Sequence, residues 1–208
     1  MGGCHRCRPR HGRRLAVGLV TAESRHILIG ICGGIAAYKL AAVVSAVVQR
    51  GDRVTVAMTA SAQRFIGPAT LEALSGRPVL TEPWTVINDP TSQHIALGRD
   101  ADAMLVAPCT MNTAANLAQG RTDDAVTLLA ASIDRDATPV LVAPSMNATM
   151  YAQPALQRNL AVLARDGLKI LAPDSGWQAC RTDGAGRLPE PAALIDAIDA
   201  AVRATSDV

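Results

Sequence analysis

Aromatic residues are nearly absent: one Phe, two Trp and two Tyr among 208 residues. A core of normal size must therefore be built from Ala, Val, Leu and Ile, packed without ring stacking. Long hydrophobic runs are missing too. No apolar stretch approaches the roughly 18 residues that cross a bilayer, so no membrane span is expected. The five cysteines, Cys4, Cys7, Cys32, Cys109 and Cys180, are scattered and odd in number. That argues against a disulfide scaffold and fits reduced thiols in a cytoplasmic protein. The dinucleotide fingerprint G-x-G-x-x-G is absent, as is any internal repeat.

Acidic residues are scarce only at the start. Residues 1–25 hold six arginines and one acid, Glu23, whereas residues 26–208 hold 14 basic and 17 acidic residues, a net of −3. The body is therefore mildly acidic, and a nucleic-acid surface is not expected. The Arg-rich segment reads as a disordered extension. Its C-x-x-C has no second ligand pair at zinc spacing, so no metal is expected. The apolar patch after Arg13 and Arg14 is too short for a secretory signal.

From residue 26 onward strands and helices alternate. Short apolar, β-branched runs at 26–32, 53–58, 102–107, 139–143 and 169–172 read as buried strands. Helical lengths follow at 36–50, closed by Gly51, and at 60–66, 68–75, 112–119, 123–132, 153–166 and 191–204. Residues 174–190 read as a glycine-rich loop. Apolar strands alternating with helices predict an α/β fold, one doubly wound, Rossmann-like domain around a parallel sheet, spanning 26–208. Such sheets bind ligands at the carboxyl ends of their strands.

The unusual loops all follow strands. Adjacent Gly33 and Gly34 let backbone amides approach a phosphate or a ring edge. Thr59 and Ser61 can cap a helix, donate to a phosphate, or do both. Thr110, Asn112 and Thr113 stand at the mouth of the third strand. Ser145 and Asn147 stand at that of the fourth. These neutral hydrogen-bonding groups suit a flat heterocycle and a carboxylate.

Four segments of the chain resemble the flavin-containing cysteine decarboxylases, a family with lantibiotic-peptide and coenzyme A branches. Pro108–Thr113 (P-C-T-M-N-T) is similar to the family's P-A-S-A-N-T motif. Pro144–Tyr151 (P-S-M-N-A-T-M-Y) is similar to P-x-M-N-x-x-M-W. His94 in H-I-A-L resembles the catalytic histidine segment. Residues 179–191 (ACRTDGAGRLPEP) resemble the substrate flap of the phosphopantothenoylcysteine branch. Cys109, Met111 and Tyr151 depart from the usual residues at their positions, and none removes a group the chemistry requires.

The resemblance implies a flavoprotein fold and FMN as cofactor. It implies decarboxylation of phosphopantothenoylcysteine to phosphopantetheine, through oxidation of the thiol carbon, CO2 loss and reduction of the resulting enethiolate. FMN contacts are then expected from Gly33, Gly34, Ile35, Thr59 and Ser61. Others are expected from Thr110, Met111, Asn112 and Thr113. His94 becomes the candidate base, Asn147 the carboxylate holder and Cys180 the proton donor of the reductive half. Met150, Ala179 and Arg187 join Asn147 as substrate contacts. Cys32 and Cys109 are expected to pack near the flavin rather than react. The family's assembly implies a homotrimer or homododecamer with active sites between subunits. Bacterial forms are often fused to a synthetase, and a chain ending at Val208 is expected to be free-standing. Two other readings stay open: a peptidyl-cysteine decarboxylase and a non-catalytic regulatory subunit. The flap with Cys180 counts against the first, and the presence of His94, Asn147 and Cys180 against the second.

Overall fold

The computed structural model describes residues 24–84 and 93–206. Five strands, β1 (His26–Ile31), β2 (Arg53–Met58), β3 (Ala103–Cys109), β4 (Val140–Pro144) and β5 (Lys169–Ile170), form a parallel sheet in the order β2-β1-β3-β4-β5. Side chains on a strand alternate between its faces, and both faces here are apolar. Ile27, Ile29 and Ile31 of β1 pack into a core with α1 (Lys39–Gln49), α2 (Pro68–Ser75) and α8 (Pro191–Ser206). Leu28 joins a second core with α4 (Met111–Ala118), α5 (Ala125–Ala131) and α7 (Pro154–Arg165). In β3, Ala103, Leu105 and Ala107 belong to the first core, while Met104 and Val106 belong to the second. The largest fully buried side chains are Ile, Leu and Met, with no aromatic among them. This is the doubly wound α/β fold the alternation predicts.

The winding reverses between β1 and β3. The helix after β1 covers one face and the helix after β3 covers the other, so the carboxyl ends of these two strands frame a crevice. The Gly33–Gly34 loop and the Thr110–Thr113 segment both start there.

Several local expectations need correction. Residues 174–190 are not a simple loop. They hold an antiparallel hairpin, β6 (Asp174–Trp177) and β7 (Asp183–Arg187). The fifth strand is two residues long, because only Leu141 and Val142 of β4 pair with it at the sheet edge. The helix expected at 60–66 is one 3-10 turn, Ala62–Arg64. Helix α3 (Gln93–Asp100) and the single-turn α6 (Ala148–Tyr151) were not anticipated. Arg25, counted above with the extension, belongs to the body. Its guanidinium pairs with Asp52 at 2.7 Å and Asp199 at 2.9 Å, joining the start of β1 to the turn before β2 and to α8. Residues 1–23 lie outside the described residues. Among those described, no helix is long and apolar enough to cross a membrane.

The opposite end of β1 carries a buried polar cluster. His26 Nδ1 lies 2.8 Å from Asp100 and Nε2 lies 2.8 Å from Thr55 Oγ1, which also accepts from Arg77 at 3.4 Å. Thr55 therefore donates to Nε2, and a neutral imidazole protonated at Nδ1 satisfies every partner. Burial pushes the His26 pKa below 6.5, against the opposing pull of Asp100. A depressed histidine pKa means the unfolded chain takes the proton first. The stabilisation from neutral His26 is complete above about pH 6.5 and is lost as pH falls from there through the folded value. Thermal melts between pH 8 and 5 are expected to decline below that point, with a flatter profile in His26→Gln.

Candidate active site

At the crevice the loops after β1 and β2 touch. A Cβ on Gly33 would stand 2.9 Å from the Ser61 carbonyl carbon and closer still to its side chain. Only glycine allows this approach, which brings the β1 and β2 loops edge to edge. Thr59 Oγ1 lies 3.1 Å from Ser61 Oγ and accepts from Ala62 N. Across the crevice, Thr110 caps α4: its Oγ1 accepts from Thr113 N at 3.2 Å and lies 3.1 Å from Thr113 Oγ1. Both pairs thus cap turns, and one residue of each, Ser61 and Thr110, also lines the open space.

That space is a cavity of about 710 Å3, within the usual range for small-molecule sites of roughly 300–1,000 Å3. Its first wall holds Gly33, Gly34, Ile35, Ser61, Thr110, Met111 and Asn112. Its second wall holds Ser145, Asn147 and Met150 from the segment around α6, and Ala179, Cys180 and Arg187 from the hairpin. Nearly all the residues singled out in the sequence are therefore brought together. Thr59 and Thr113 stand just behind the wall, buried against Ser61 and Thr110. His94 is not among the lining residues: it sits at the start of α3, where its carbonyl accepts from Ser132 Oγ at 2.9 Å.

Asn147 is the N-cap of α6, with Oδ1 accepting from Met150 N at 2.8 Å. The carbonyl end of its amide is thereby committed, and the Nδ2 end remains a neutral donor. The hairpin docks on α6 through close approaches. A Cβ on Gly184 would meet the Ala148 methyl at 2.6 Å, and one on Gly186, at φ 124°, would meet the Met146 carbonyl. In return Met146 N donates to Gly186 O at 2.9 Å. Glycine at these two positions lets a strand lie against the turn that carries Asn147.

The cysteines divide by burial. Burial pushes the Cys32 thiol up to about 12 and that of Cys109 upward as well. Both stay protonated, so neither is a nucleophile. Cys180 is exposed on the hairpin turn, with Sγ 3.0 Å from Thr182 Oγ1 and 3.6 Å from Gln178 Oε1.

Sequence reasoning missed several lining residues: Tyr38, Lys39, Met146, Trp177, Gln178 and Leu188. Lys39 and Arg187 share one carboxylate, Glu190, at 2.8 and 3.3 Å, and the neighbouring Lys39 holds that carboxyl below its usual range. Tyr38 and Trp177 are about 60 and 61% exposed at the cavity mouth, so two of the chain's few aromatics stand where a ligand or another surface can cover them.

The family model described as Flavoprotein matches residues 19–203. This chain belongs to the Flavoprotein family. Among curated relatives of this flavoprotein, the coenzyme A biosynthesis bifunctional protein CoaBC of Vibrio parahaemolyticus is 42% identical over 175 residues. That match takes in 84% of this chain and 43% of the relative, so the flavoprotein spans less than half its relative's length. Among solved structures, the FMN-dependent cysteine decarboxylase SpaF superposes with a TM-score of 0.75 at 30% identity, over 89% of this chain and 98% of that one. A cysteine-to-serine mutant of PPC decarboxylase complexed with pantothenoylaminoethenethiol gives 0.75 at 25%, over 85% and 97%.

Proposed function

We propose that this flavoprotein binds FMN in the crevice between β1 and β3 and decarboxylates phosphopantothenoylcysteine to phosphopantetheine. One observation carries the reading: a single cavity joins the Gly33–Gly34 cradle, the Asn147 amide and the Cys180 thiol. The cradle fits a flavin. Gly33 lets the loops after β1 and β2 close on one another, the donors of the cradle are neutral hydroxyls and backbone amides, and Ile35 and Met111 supply apolar surface for a flat ring. FMN held there supplies reversible two-electron chemistry at the carbon bearing the substrate thiol. Gly33, Gly34, Ile35, Ser61, Thr110, Met111 and Asn112 hold it, with Thr59 and Thr113 fixing the hydroxyls of Ser61 and Thr110.

The protein's own groups divide the remaining work. Asn147 Nδ2 orients the substrate carboxylate without a full positive charge, which would hold that carboxylate back from leaving as CO2. Met150 and Ala179 contact the substrate beside it. Arg187 and Lys39 bring cationic groups to the same end of the cavity, where a phosphorylated substrate carries its charge. Cys180 returns a proton to the decarboxylated ethenethiol. The solved complex of a cysteine-to-serine mutant of PPC decarboxylase with an aminoethenethiol supports this, since a ligand of that kind is what loss of a proton donor traps.

His94 is the base in this reading and reaches the cavity from a second copy of the chain. Its place on α3, away from the lining, and the exposed Ile35, Tyr38, Met150 and Trp177 at the mouth support a site closed between subunits. A homotrimer, alone or gathered into a dodecamer, is the assembly proposed, in the cytoplasm.

Substrate choice is tested by incubating the FMN-loaded protein with phosphopantothenoylcysteine and with a peptide ending in cysteine. CO2 release and product mass are read for each. Turnover of the first at least about 100-fold faster is expected, because the hairpin that carries Cys180 shapes the cavity for a small thiol. Equal or faster turnover of the peptide would reverse the assignment.

A further inference from the structure

Beside the backbone contacts of Gly184 and Gly186, one side chain that the reaction does not itself require joins the hairpin to α6. Gln178 is only 7% exposed, and both ends of its amide are engaged. Its Oε1 accepts from Ala148 N at 3.1 Å, the residue next to Asn147, and lies 3.6 Å from Cys180 Sγ. Its Nε2 donates to Ala185 O at 2.9 Å, with Gly184 O at 3.4 Å and Met146 O at 3.5 Å. Its backbone N–H donates to Thr182 O at 2.9 Å and closes the turn on which Cys180 sits. One amide thus touches β7, the α6 turn and the thiol.

We infer that Gln178 is the positioning residue for Cys180: it fixes the thiol relative to Asn147 by clamping the hairpin turn onto the start of α6. Asn147 and Cys180 stand on different elements, and no hydrogen bond runs directly between them. They must nonetheless address one small ligand, at the carboxylate in one half of the reaction and at the ethenethiol in the other. A misplacement of about 1 Å between such groups costs on the order of 100-fold in rate. Gln178 Oε1 is the atom that both sides share. Thr182 Oγ1, at 3.0 Å from the thiol, lies on the same turn and cannot relate it to α6.

The inference rests on the proposed role of Cys180 and separates from it by experiment. Gln178→Met keeps length and bulk and removes the amide. Given phosphopantothenoylcysteine, the FMN-loaded variant is expected to raise the ratio of ethenethiol to saturated thiol at least about tenfold, because the thiol is misplaced for the second half. A purely structural role would lower both products together and leave their ratio unchanged, which would overturn the inference. Cys180→Ser runs in parallel. If Cys180→Ser traps the ethenethiol and Gln178→Met does not, Gln178 is not the positioning residue. If Cys180→Ser makes saturated thiol normally, the Cys180 role itself fails.

A second readout needs no turnover. In protein without ligand, alkylation of Cys180 by iodoacetamide, followed by peptide mass spectrometry, is expected to quicken about fivefold or more in Gln178→Met, as the turn comes free of α6. Thr182→Val removes the thiol's other partner while leaving the clamp, so its alkylation rate is expected to stay within about twofold of the parent protein. Equal rates in the parent and Gln178→Met would contradict the clamp.

Discussion

Cys180→Ser protein supplied with FMN and phosphopantothenoylcysteine is expected to release CO2 and then stop at the ethenethiol. Saturated thiol should fall by about 100- to 10,000-fold, the usual worth of a positioned general acid. The fall belongs to one half of the reaction because of where the residue stands. Cys180 lies on the hairpin turn, whereas Asn147 and the Gly33–Gly34 cradle lie on loops at the strand ends. A serine hydroxyl fits the same space, so FMN binding and Asn147 should be undisturbed. It gives up a proton far less readily than a thiol does. Mass spectrometry of the products decides the matter, and a normal yield of saturated thiol would remove Cys180 from the mechanism. Neither Cys32 nor Cys109 can substitute, because both thiols are buried in the second core and face no substrate.

His94→Asn is expected to bind FMN and yet lose CO2 release by about 100- to 10,000-fold. Its position on α3 makes a further outcome testable. Asn147→Ala, which lacks the carboxylate holder, should be equally inactive. If His94 serves the cavity of a neighbouring copy, mixing unfolded His94→Asn and Asn147→Ala chains and refolding them together restores roughly a quarter of the sites, those pairing an intact His94 with an intact Asn147. If each chain supplies its own histidine, no mixed assembly regains activity. Recovery near a quarter supports the shared site, and no recovery contradicts it.

What the sequence made legible follows from where the physics is local. β1 to β4 are apolar runs buried on both faces, so composition alone marks them, and β2 was bounded correctly at Arg53 and Met58. Helix α1 was found because Leu40, Val43, Val44 and Val47 recur at helical spacing. Helix α3 was missed because it has almost no apolar face: Gly98 is its one buried residue, pressed against the Ser132 carbonyl. The β6–β7 hairpin was read as a loop for a related reason. Gly176, Gly184 and Gly186 have little preference for strands. Gly184 and Gly186 lie in a strand here against Gln178 and the α6 turn, a tertiary contact invisible in the hairpin's own sequence.

The site shows the same division. Gly33 and Ser61, marked by loop chemistry, and Thr110, Asn147 and Cys180, marked by motif, line one cavity. Thr59 and Thr113 were expected on the cavity surface and instead stand one layer behind it, where each hydroxyl pairs with that of Ser61 or Thr110. Lys39 and Gln178 escaped notice because each looked like an ordinary helix or loop residue. The signal for Lys39 was its distance from Gly33, which puts it in the first turn of the helix that the glycine loop opens. Gln178 offered a weaker one, a neutral amide beside the A-C pair of the flap.

The account depends on a flavin lying across the carboxyl ends of β1 and β3. The most direct test is to strip the purified full chain of bound cofactor and titrate it with FMN, following the quenching of flavin fluorescence. Saturable binding at one FMN per chain is predicted, and it should be lost in Gly33→Leu, whose side chain would collide with Ser61 and push the two loops apart. A well-folded parent protein that leaves FMN fluorescence unchanged at every concentration would contradict it.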